Sequence, residues 1–84
     1  MGTVGLTAGF LFGSGSPSYG ILSVTNDTGR STYIHVNSSR YGPVYDGNTI
    51  ILELRVGTYT VIDEYGHRRV VYVSRKSTVY IVFM

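Results

Sequence analysis

The stretch that decides the fold is residues 49–63, which read TIILELRVGTYTVID. Apolar residues alternate with others in its first half, which is the pattern of a strand with one buried face. The inward positions of this first strand, residues 49–56, are Ile50, Leu52, Leu54 and Val56. Gly57 permits a turn, after which Tyr59 and Val61 again share one face. The stretch therefore predicts two consecutive strands that bury their apolar faces in one core.

The C-terminal third continues this strand pattern. Residues 64–67 predict a hairpin turn, and residues 68–74 form the returning strand. The final run, Thr78 to Met84, is uncharged and apolar on both faces, which suits a strand in the middle of a sheet or covered by a neighbour. We interpret Arg75 and Lys76 as charged residues that limit aggregation of this run.

The predicted strands upstream are shorter. Ile21 to Thr25 and Ser31 to Asn37 flank a turn at Asn26 to Gly29, so we expect these two strands to form a hairpin. Residues 38–48 hold two further turn signals, and they predict a long loop around a short strand at residues 43–45.

Composition supports the same fold class. Tyrosine occurs 8 times and phenylalanine 3 times in 84 residues, whereas Ala8 is the one alanine, so strands are favoured over helices. We predict an all-β chain that forms a single small antiparallel β-sandwich of about seven strands, with immunoglobulin-like or transthyretin-like architecture. This domain covers residues 20–84.

A chain of this size has little to stabilise it besides packing. One small domain buries about 60–65% of the surface that its unfolded chain exposes. The absence of cysteine excludes disulfides and thiolate metal clusters, so assembly or very good packing is needed. The net charge of +2 is too small to imply a polyanionic partner. No run of about 18 apolar residues occurs, so we expect no membrane span.

The N-terminal residues 1–13 predict a separate apolar strand. One face of the alternating run from Thr3 to Phe12 consists of Val4, Leu6, Ala8, Phe10 and Phe12. Residues 14–19 have the Gly/Ser composition of a flexible linker. We therefore predict that this face is a subunit interface, formed when the strand is donated to a neighbouring copy; the alternative is that the strand folds back onto its own domain. Glycines interrupt the apolar run, which argues against a signal peptide. We favour an extracellular or surface location for the protein.

The sequence predicts no catalytic, cofactor or metal site, and so no enzyme. The candidate groups are His35, His67, Asp27, Asp46, Asp63 and Glu64. Most of them lie in predicted turns, where a short carboxylate bonds its own backbone. Asp63 and Glu64 are adjacent, which points them to opposite faces. We expect His67 to be exposed in its hairpin, and the two histidines lack the spacing of metal ligands.

Two asparagines match the acceptor pattern for N-glycosylation. They are Asn26 in Asn26-Asp27-Thr28 and Asn37 in Asn37-Ser38-Ser39. Each lies in or beside a predicted turn, where a glycan could be carried, and an ordinary asparagine-rich turn explains the pattern as well.

A small β-barrel that binds nucleic acid is a further alternative. The basic and aromatic residues Tyr65, Arg68, Arg69, Tyr72 and Arg75 are close in sequence. Tyr72 shares a face with Arg68 only if no bulge intervenes in that strand. Because this condition is open, we do not expect nucleic acid as the main partner.

From Ile21 onward the chain resembles the PEGA and carboxypeptidase-regulatory-like group of small β-sandwiches. The resemblance rests on Leu52 to Val61, a strand followed by a Gly-x-Tyr-x-Val segment, and on Tyr65-Gly66 before a closing strand. It covers residues 21–83, and the N-terminal strand has no counterpart in the group. The resemblance implies a spacer or interaction module in a surface protein.

These observations leave two main hypotheses for function. The first is a structural subunit that assembles with copies of itself by N-terminal strand addition, in a filament, a surface layer or a virion. The second is a monomeric module that binds carbohydrate or protein through exposed tyrosines at residues 41–45 and at Tyr65.

Overall fold

The strand predicted from residue 49 onward lies inside one sheet of the computed structural model, which describes the backbone of residues 3–7 and all atoms of residues 18–84. These residues form eight strands and no helix. In chain order they are β1 Thr3–Thr7, β2 Tyr19–Asn26, β3 Thr32–Val36, β4 Ser39–Val44, β5 Thr49–Arg55, β6 Gly57–Ile62, β7 Arg68–Val73 and β8 Thr78–Phe83.

The strands form two four-stranded sheets that pack face to face as a β-sandwich. Sheet A has the order β1-β5-β2-β8, and sheet B has the order β4-β3-β6-β7. All pairs in sheet B are antiparallel. Sheet A is mixed, because β1 runs parallel to β5 and β2 runs parallel to β8. The predicted all-β sandwich is confirmed, with parallel pairs in sheet A that the sequence did not predict.

The core lies between the sheets and consists of the inward positions of both. Its buried apolar residues are Leu22, Val24, Ile34, Val36, Val44, Ile50, Leu52, Leu54, Val61, Val73, Ile81 and Phe83. Three of the four inward positions predicted in residues 49–56 are confirmed, whereas Val56 is half-buried in the bend that follows β5. Val61 is buried and Tyr59 packs against the core, as predicted. The β6–β7 hairpin is also confirmed.

The hairpin predicted between residues 21–25 and 31–37 is wrong. β2 belongs to sheet A and β3 to sheet B, so the turn after Asn26 carries the chain across the end of the sandwich. The buried Asn26 side chain stabilises this crossing, because its Nδ2 donates to the carbonyl oxygens of Arg30 at 2.6 Å and Val44 at 2.8 Å. A turn signal in sequence shows that the chain reverses, but not that both strands stay in one sheet.

Residues 38–48 contain more strand than the sequence predicted. Ser39–Val44 pairs with β3 through a tight turn in which Asn37 has a φ of 53°. The register shifts between Thr32 and Ile34, and the Gly42–Pro43 peptide bond is cis. Proline is tolerated here because β4 is an edge strand. The predicted long loop is therefore an edge strand followed by a short turn.

Residues 3–7 add to sheet A beside β5. The register pairs Val4 with Ile50 and Leu6 with Leu52, which are core positions of β5. In this arrangement the strand pairs with its own chain. The other predicted interface residues, Ala8, Phe10 and Phe12, lie outside the described residues, as does most of the predicted linker.

The last strand is at an edge and not in the middle of a sheet. Among the strands that the structure describes, β8 is hydrogen-bonded to β2 alone in sheet A. Its inward residues Ile81 and Phe83 are buried, whereas Tyr80 is 77% exposed and Val82 is 43% exposed on the outer face. The apolar character of this run therefore reflects a core-facing side and an uncovered side.

Candidate interaction surfaces

The four sheet edges differ in how they are shielded from further strand pairing. Edge strands of natural proteins are shielded by proline, charged residues, bulges or a covering segment. In sheet B, β4 contains Pro43 and lies opposite a register shift, and β7 begins with Arg68 and Arg69. In sheet A, the edge strands are β8 and β1, of which β1 covers β5 and contains neither a charge nor a proline.

The β8 strand itself contains none of these devices, and its nearest charges are Arg75 and Lys76 in the turn before it. Its sequence, TVYIVF, contains no charge, proline or glycine, and its pairing with β2 runs in straight register over six residue pairs. We call this strand and its outer residues Tyr80 and Val82 the open edge. Its outer backbone groups pair with no other described strand and lie beside an exposed apolar face, which is the arrangement that strand addition uses.

The outer face of sheet A beside the open edge is only weakly polar. In register, Tyr80 lies beside Ser23, and Ser23 lies beside Ile51. In the next row, the hydroxyl groups of Thr25 and Thr49 form a hydrogen bond, with 2.7 Å between their oxygen atoms. In these two rows the surface beside the open edge carries hydroxyl and apolar groups but no charge, whereas Glu53 and Arg55 of β5 lie in the rows beyond.

The outer face of sheet B has a different character. The strands β3, β4, β6 and β7 contain no aspartate or glutamate, and their outward positions carry two arginines and one histidine. We call this surface the basic face; its outward residues are Tyr33, His35, Arg40, Thr58, Thr60, Ile62, Arg68, Val70 and Tyr72. One row across the four strands is Arg40, His35, Ile62 and Arg68, each in register with the next.

The register of β7 shows whether Tyr72 shares a face with Arg68, which the sequence left open. The strand β7 pairs with β6 over six residues without a shift, from Ile62 with Arg68 to Gly57 with Val73. Arg68 and Tyr72 therefore lie on the same outer face. Arg69 faces the other way, with its guanidinium carbon 5.6 Å from the centre of the Phe83 ring.

Arginine–tyrosine stacking occurs at one end of the basic face. The guanidinium of Arg40 lies 4.4 Å from the centre of the Tyr33 ring, and that of Arg30 lies 4.5 Å from the Tyr65 ring. The Glu64 carboxylate is nearby and accepts a hydrogen bond from the Tyr33 backbone N–H at 3.3 Å. Stacked guanidinium groups are held in place and keep their charge.

An aspartate–histidine pair closes the β6–β7 hairpin. The buried Asp63 accepts the backbone N–H groups of Tyr65 and His67 at 2.9 Å each, and its Oδ2 lies 2.6 Å from Nδ1 of His67. The His67 ring stacks on Phe83 with 5.9 Å between ring centres. Burial by itself raises the pKa of Asp63, but the hydrogen bonds from the His67 side chain and the two backbone amides outweigh it and lower the pKa.

The sequence did not lead us to predict the contact between Asp63 and His67. His67 is only partly exposed, because it is fixed against Asp63 and Phe83. The available signal was the separation of four residues across a predicted tight turn. Three bonds to one carboxylate explain the pair as a structural element of the hairpin. Within residues 18–84, no cluster of three potential ligands could hold a metal ion.

The two predicted glycosylation sites have opposite surroundings. The Asn26 side chain is fully buried and donates both of its N–H groups to backbone carbonyls, so the folded domain has no room for a glycan there. That prediction is incompatible with the fold. Asn37 is exposed in the β3–β4 turn, where its Oδ1 accepts the backbone N–H of Thr60 at 3.0 Å. Glycosylation of Asn37 stays a prediction.

The tyrosines predicted to bind a sugar or protein do not gather in one place. Tyr41 is in register with the buried Ile34 and packs against the core. Tyr45 is exposed beyond the end of β4, and the Tyr65 hydroxyl donates a hydrogen bond to the Ser31 carbonyl oxygen. The structure therefore does not assemble the tyrosine platform that this hypothesis needs from these residues.

These features define a small β-sandwich with the open edge at β8 of sheet A and the basic face on sheet B. A scan against protein-family models and a search of curated proteins found no match for the chain. The resemblance to the PEGA and carboxypeptidase-regulatory-like group therefore stays a prediction. None of the described residues form a helix long and apolar enough to cross a membrane.

Proposed function

We propose that this chain is a structural subunit that assembles with copies of itself, joined by addition of the N-terminal strand of one copy to sheet A of another. The observation that carries the proposal is that β5 is covered at its edge by a strand that hydrogen-bonds to nothing else in its sheet. This strand lies opposite Ile50 and Leu52 of the core.

The same pairing can form within one chain or between two. The segment between β1 and β2 has a Gly/Ser composition that predicts a flexible linker. Exchange between copies keeps the backbone hydrogen bonds and the register with β5 and changes only which chain supplies the strand. Protein concentration and linker reach then decide between the two forms.

The open edge supplies a second contact of a different kind. A strand-exchange contact is head-to-tail, and such contacts form rings when they close and filaments when they do not. Pairing at the open edge extends sheet A of one copy into a neighbour through backbone bonds. Together, the two contacts suit a filament, a surface layer or a virion shell, in which small subunits are stabilised by their neighbours.

Disulfide trapping tests the strand exchange directly, because the native chain contains no cysteine. Thr7 is in register with Glu53, and neighbouring strands lie about 4.8 Å apart, which is within the range that a disulfide bridges. We expect a mixture of Thr7→Cys copies and Glu53→Cys copies to give a covalent dimer of unlike chains after mild oxidation. Non-reducing electrophoresis and mass spectrometry identify the product.

The matched control replaces Glu53→Cys with Thr58→Cys, an exposed position on sheet B. This mixture gives no specific dimer if the pairing is that of β1 with β5. The proposal is contradicted if the Thr7→Cys and Glu53→Cys mixture stays monomeric at high concentration while the double variant in one chain forms its internal disulfide. That outcome means that β1 remains on its own domain.

A further inference from the structure

We infer that the basic face of sheet B binds single-stranded nucleic acid. This inference concerns the opposite sheet from the one used in the proposed assembly, and it does not depend on that assembly. Its starting point is the straight register of β7, which places Arg68 and Tyr72 on one surface with Arg40.

The five acidic residues of the chain lie in turns or on β5 of sheet A, where Glu53 is accompanied by Arg55. The basic face has no carboxylate on any of its strands. The neighbouring Asp63 is buried and bonded to His67, and Glu64 is at the hairpin end of the face. Glu53 lies on β5 of sheet A, and the Asp46 carboxylate accepts the Gly29 N–H in a turn. An anionic chain across the strands of the basic face would therefore meet arginines with little opposing charge.

The spacing of the arginines suits an extended strand of nucleotides. Arg40 and Arg68 are at opposite ends of a row of four neighbouring strands, so their Cα atoms are about 14 Å apart at about 4.8 Å per strand. This separation lets them contact different phosphates. Both side chains are exposed.

The aromatic residues favour unpaired bases over duplex. Tyr72 is 58% exposed on the same face, beside the exposed Val70, and offers a ring on which a base can stack. A duplex hides the faces of its bases, so stacking of this kind selects single strands. Tyr33 is already covered on one side by Arg40, which makes Tyr72 the main stacking residue.

The first test is fluorescence anisotropy with labelled oligo(dT) and oligo(U) of about 12 nucleotides, a length within the usual site size of small single-strand binders. Each neutralised phosphate contributes a slope of about −0.7 to log K against log salt. Two arginine contacts then predict an affinity about sevenfold lower at 200 mM than at 50 mM salt. Absence of binding at the lower salt concentration overturns the inference.

The second test uses two variants of equal charge and equal aromatic loss. Arg68→Ala with Tyr72→Ser removes both contacts from the basic face, and Arg55→Ala with Tyr80→Ser makes the same changes on sheet A. We expect the first variant to bind at least about tenfold more weakly and the second to bind like the native chain. Both variants are measured at a concentration where light scattering shows the same oligomeric state. Equal weakening of oligonucleotide binding in both variants contradicts the inference.

Two further measurements separate base stacking from charge alone and from misfolding. Tyr72→Phe keeps the ring and is expected to bind as tightly as the native chain, whereas Tyr72→Ser binds more weakly. Inorganic polyphosphate carries charge without bases, so it should compete less well than the oligonucleotide at equal charge. Equal competition by polyphosphate, together with no effect of Tyr72→Ser, means simple charge attraction and overturns the inference.

Discussion

The Asn26 side chain connects the turn between β2 and β3 to the end of β4. Its Nδ2 donates to the carbonyls of Arg30 and Val44, and its Oδ1 accepts the backbone N–H of Thr28 at 3.0 Å and the Thr28 hydroxyl at 2.6 Å. All four hydrogen-bonding positions of a buried amide are therefore used. The crossing from sheet A to sheet B depends on an amide at this position.

Asn26→Asp is expected to destabilise the fold strongly. The change replaces a donor with a charged oxygen that faces two carbonyl oxygens in a buried site, which costs about 3 kcal/mol or more at neutral pH. Urea unfolding measures the loss. The matched control is Asn37→Asp, an exposed turn position whose Oδ1 acceptor is kept for Thr60, and we expect it to change stability by less than about 0.5 kcal/mol. Similar losses in both variants would show that the buried bonds of Asn26 contribute little.

Asp63 couples hairpin stability to acid pH. Hydrogen bonds hold its folded-state pKa below the ordinary value of 3.8, although burial alone acts in the opposite direction. Because the folded-state pKa is the lower one, this carboxylate contributes stability that is fully present above about pH 4 and is lost as the pH falls through the folded-state pKa. Protonation also weakens the contact with Nδ1 of His67.

The variant Asp63→Asn tests this linkage. Asparagine keeps an oxygen for the backbone N–H groups of Tyr65 and His67 but carries no charge. We expect the variant to be less stable than the native chain at pH 6, with a difference that shrinks as the pH falls below about 4. Urea unfolding over this pH range measures both chains. Stability curves that run parallel from neutral to acid pH would contradict the linkage.

At the scale of elements, the strands were easier to predict than their partners. Alternation identified β5 and β6 because each has a buried face and a more exposed one, as in Ile50, Leu52 and Leu54, whereas β7 followed from the hairpin turn before it. Pairing was harder, because β2 leaves its neighbour in sequence and pairs with β8. The Asn26 turn looks the same in sequence whether it joins one sheet or two. Likewise, the basic face required the register of β7, which no single strand encodes.

The open edge leads to a prediction about assembly. Tyr80→Lys places a charge on the outer face of β8, which is a usual means of discouraging strand pairing. We expect the variant to need an about tenfold higher concentration before light scattering begins to increase. This shift is equivalent to a loss of about 1.4 kcal/mol in the free energy of the contact. Because Tyr80 is exposed, unfolding stability should be unchanged.

The control for this prediction is Val70→Lys on β7. Val70 is also exposed on an edge strand, but that edge already has two arginines at its start. The Val70→Lys variant should leave the concentration at which light scattering begins to increase unchanged. If both lysine variants shift the onset equally, the effect is general charge repulsion and the open edge has no special role.

At the scale of the whole molecule, sheet A is built from distant parts of the chain. β1 comes from the N-terminal end and β8 from the C-terminal end, and each pairs in parallel with an inner strand. Parallel pairs of this kind need long connections, so local turn signals do not reveal them. The sequence did single out residues 3–12 as a strand separate from the domain. It could not show that β5 lies beside that strand, because no local feature links Val4 to Ile50.

A strand that is separate in sequence can be supplied separately in experiment. Removing residues 1–13 uncovers the edge of β5 next to Ile50 and Leu52, so we expect the shortened chain to melt at a lower temperature or to fold only weakly. Adding a peptide of residues 1–13 should restore stability in proportion to the logarithm of its concentration over its dissociation constant. A hundredfold excess over that constant adds about 2.7 kcal/mol.

The control peptide carries Gly5→Pro and Leu6→Pro. In a parallel pair alternate residues bond to the partner, so one of two adjacent prolines removes a donor that β5 needs. We expect no stabilisation by this peptide in a thermal melt. If the native peptide also fails, or if the shortened chain melts like the full chain, then β1 contributes nothing to sheet A. A strand without binding energy within its own chain cannot join two chains, so the proposed assembly by N-terminal strand addition would fail with it.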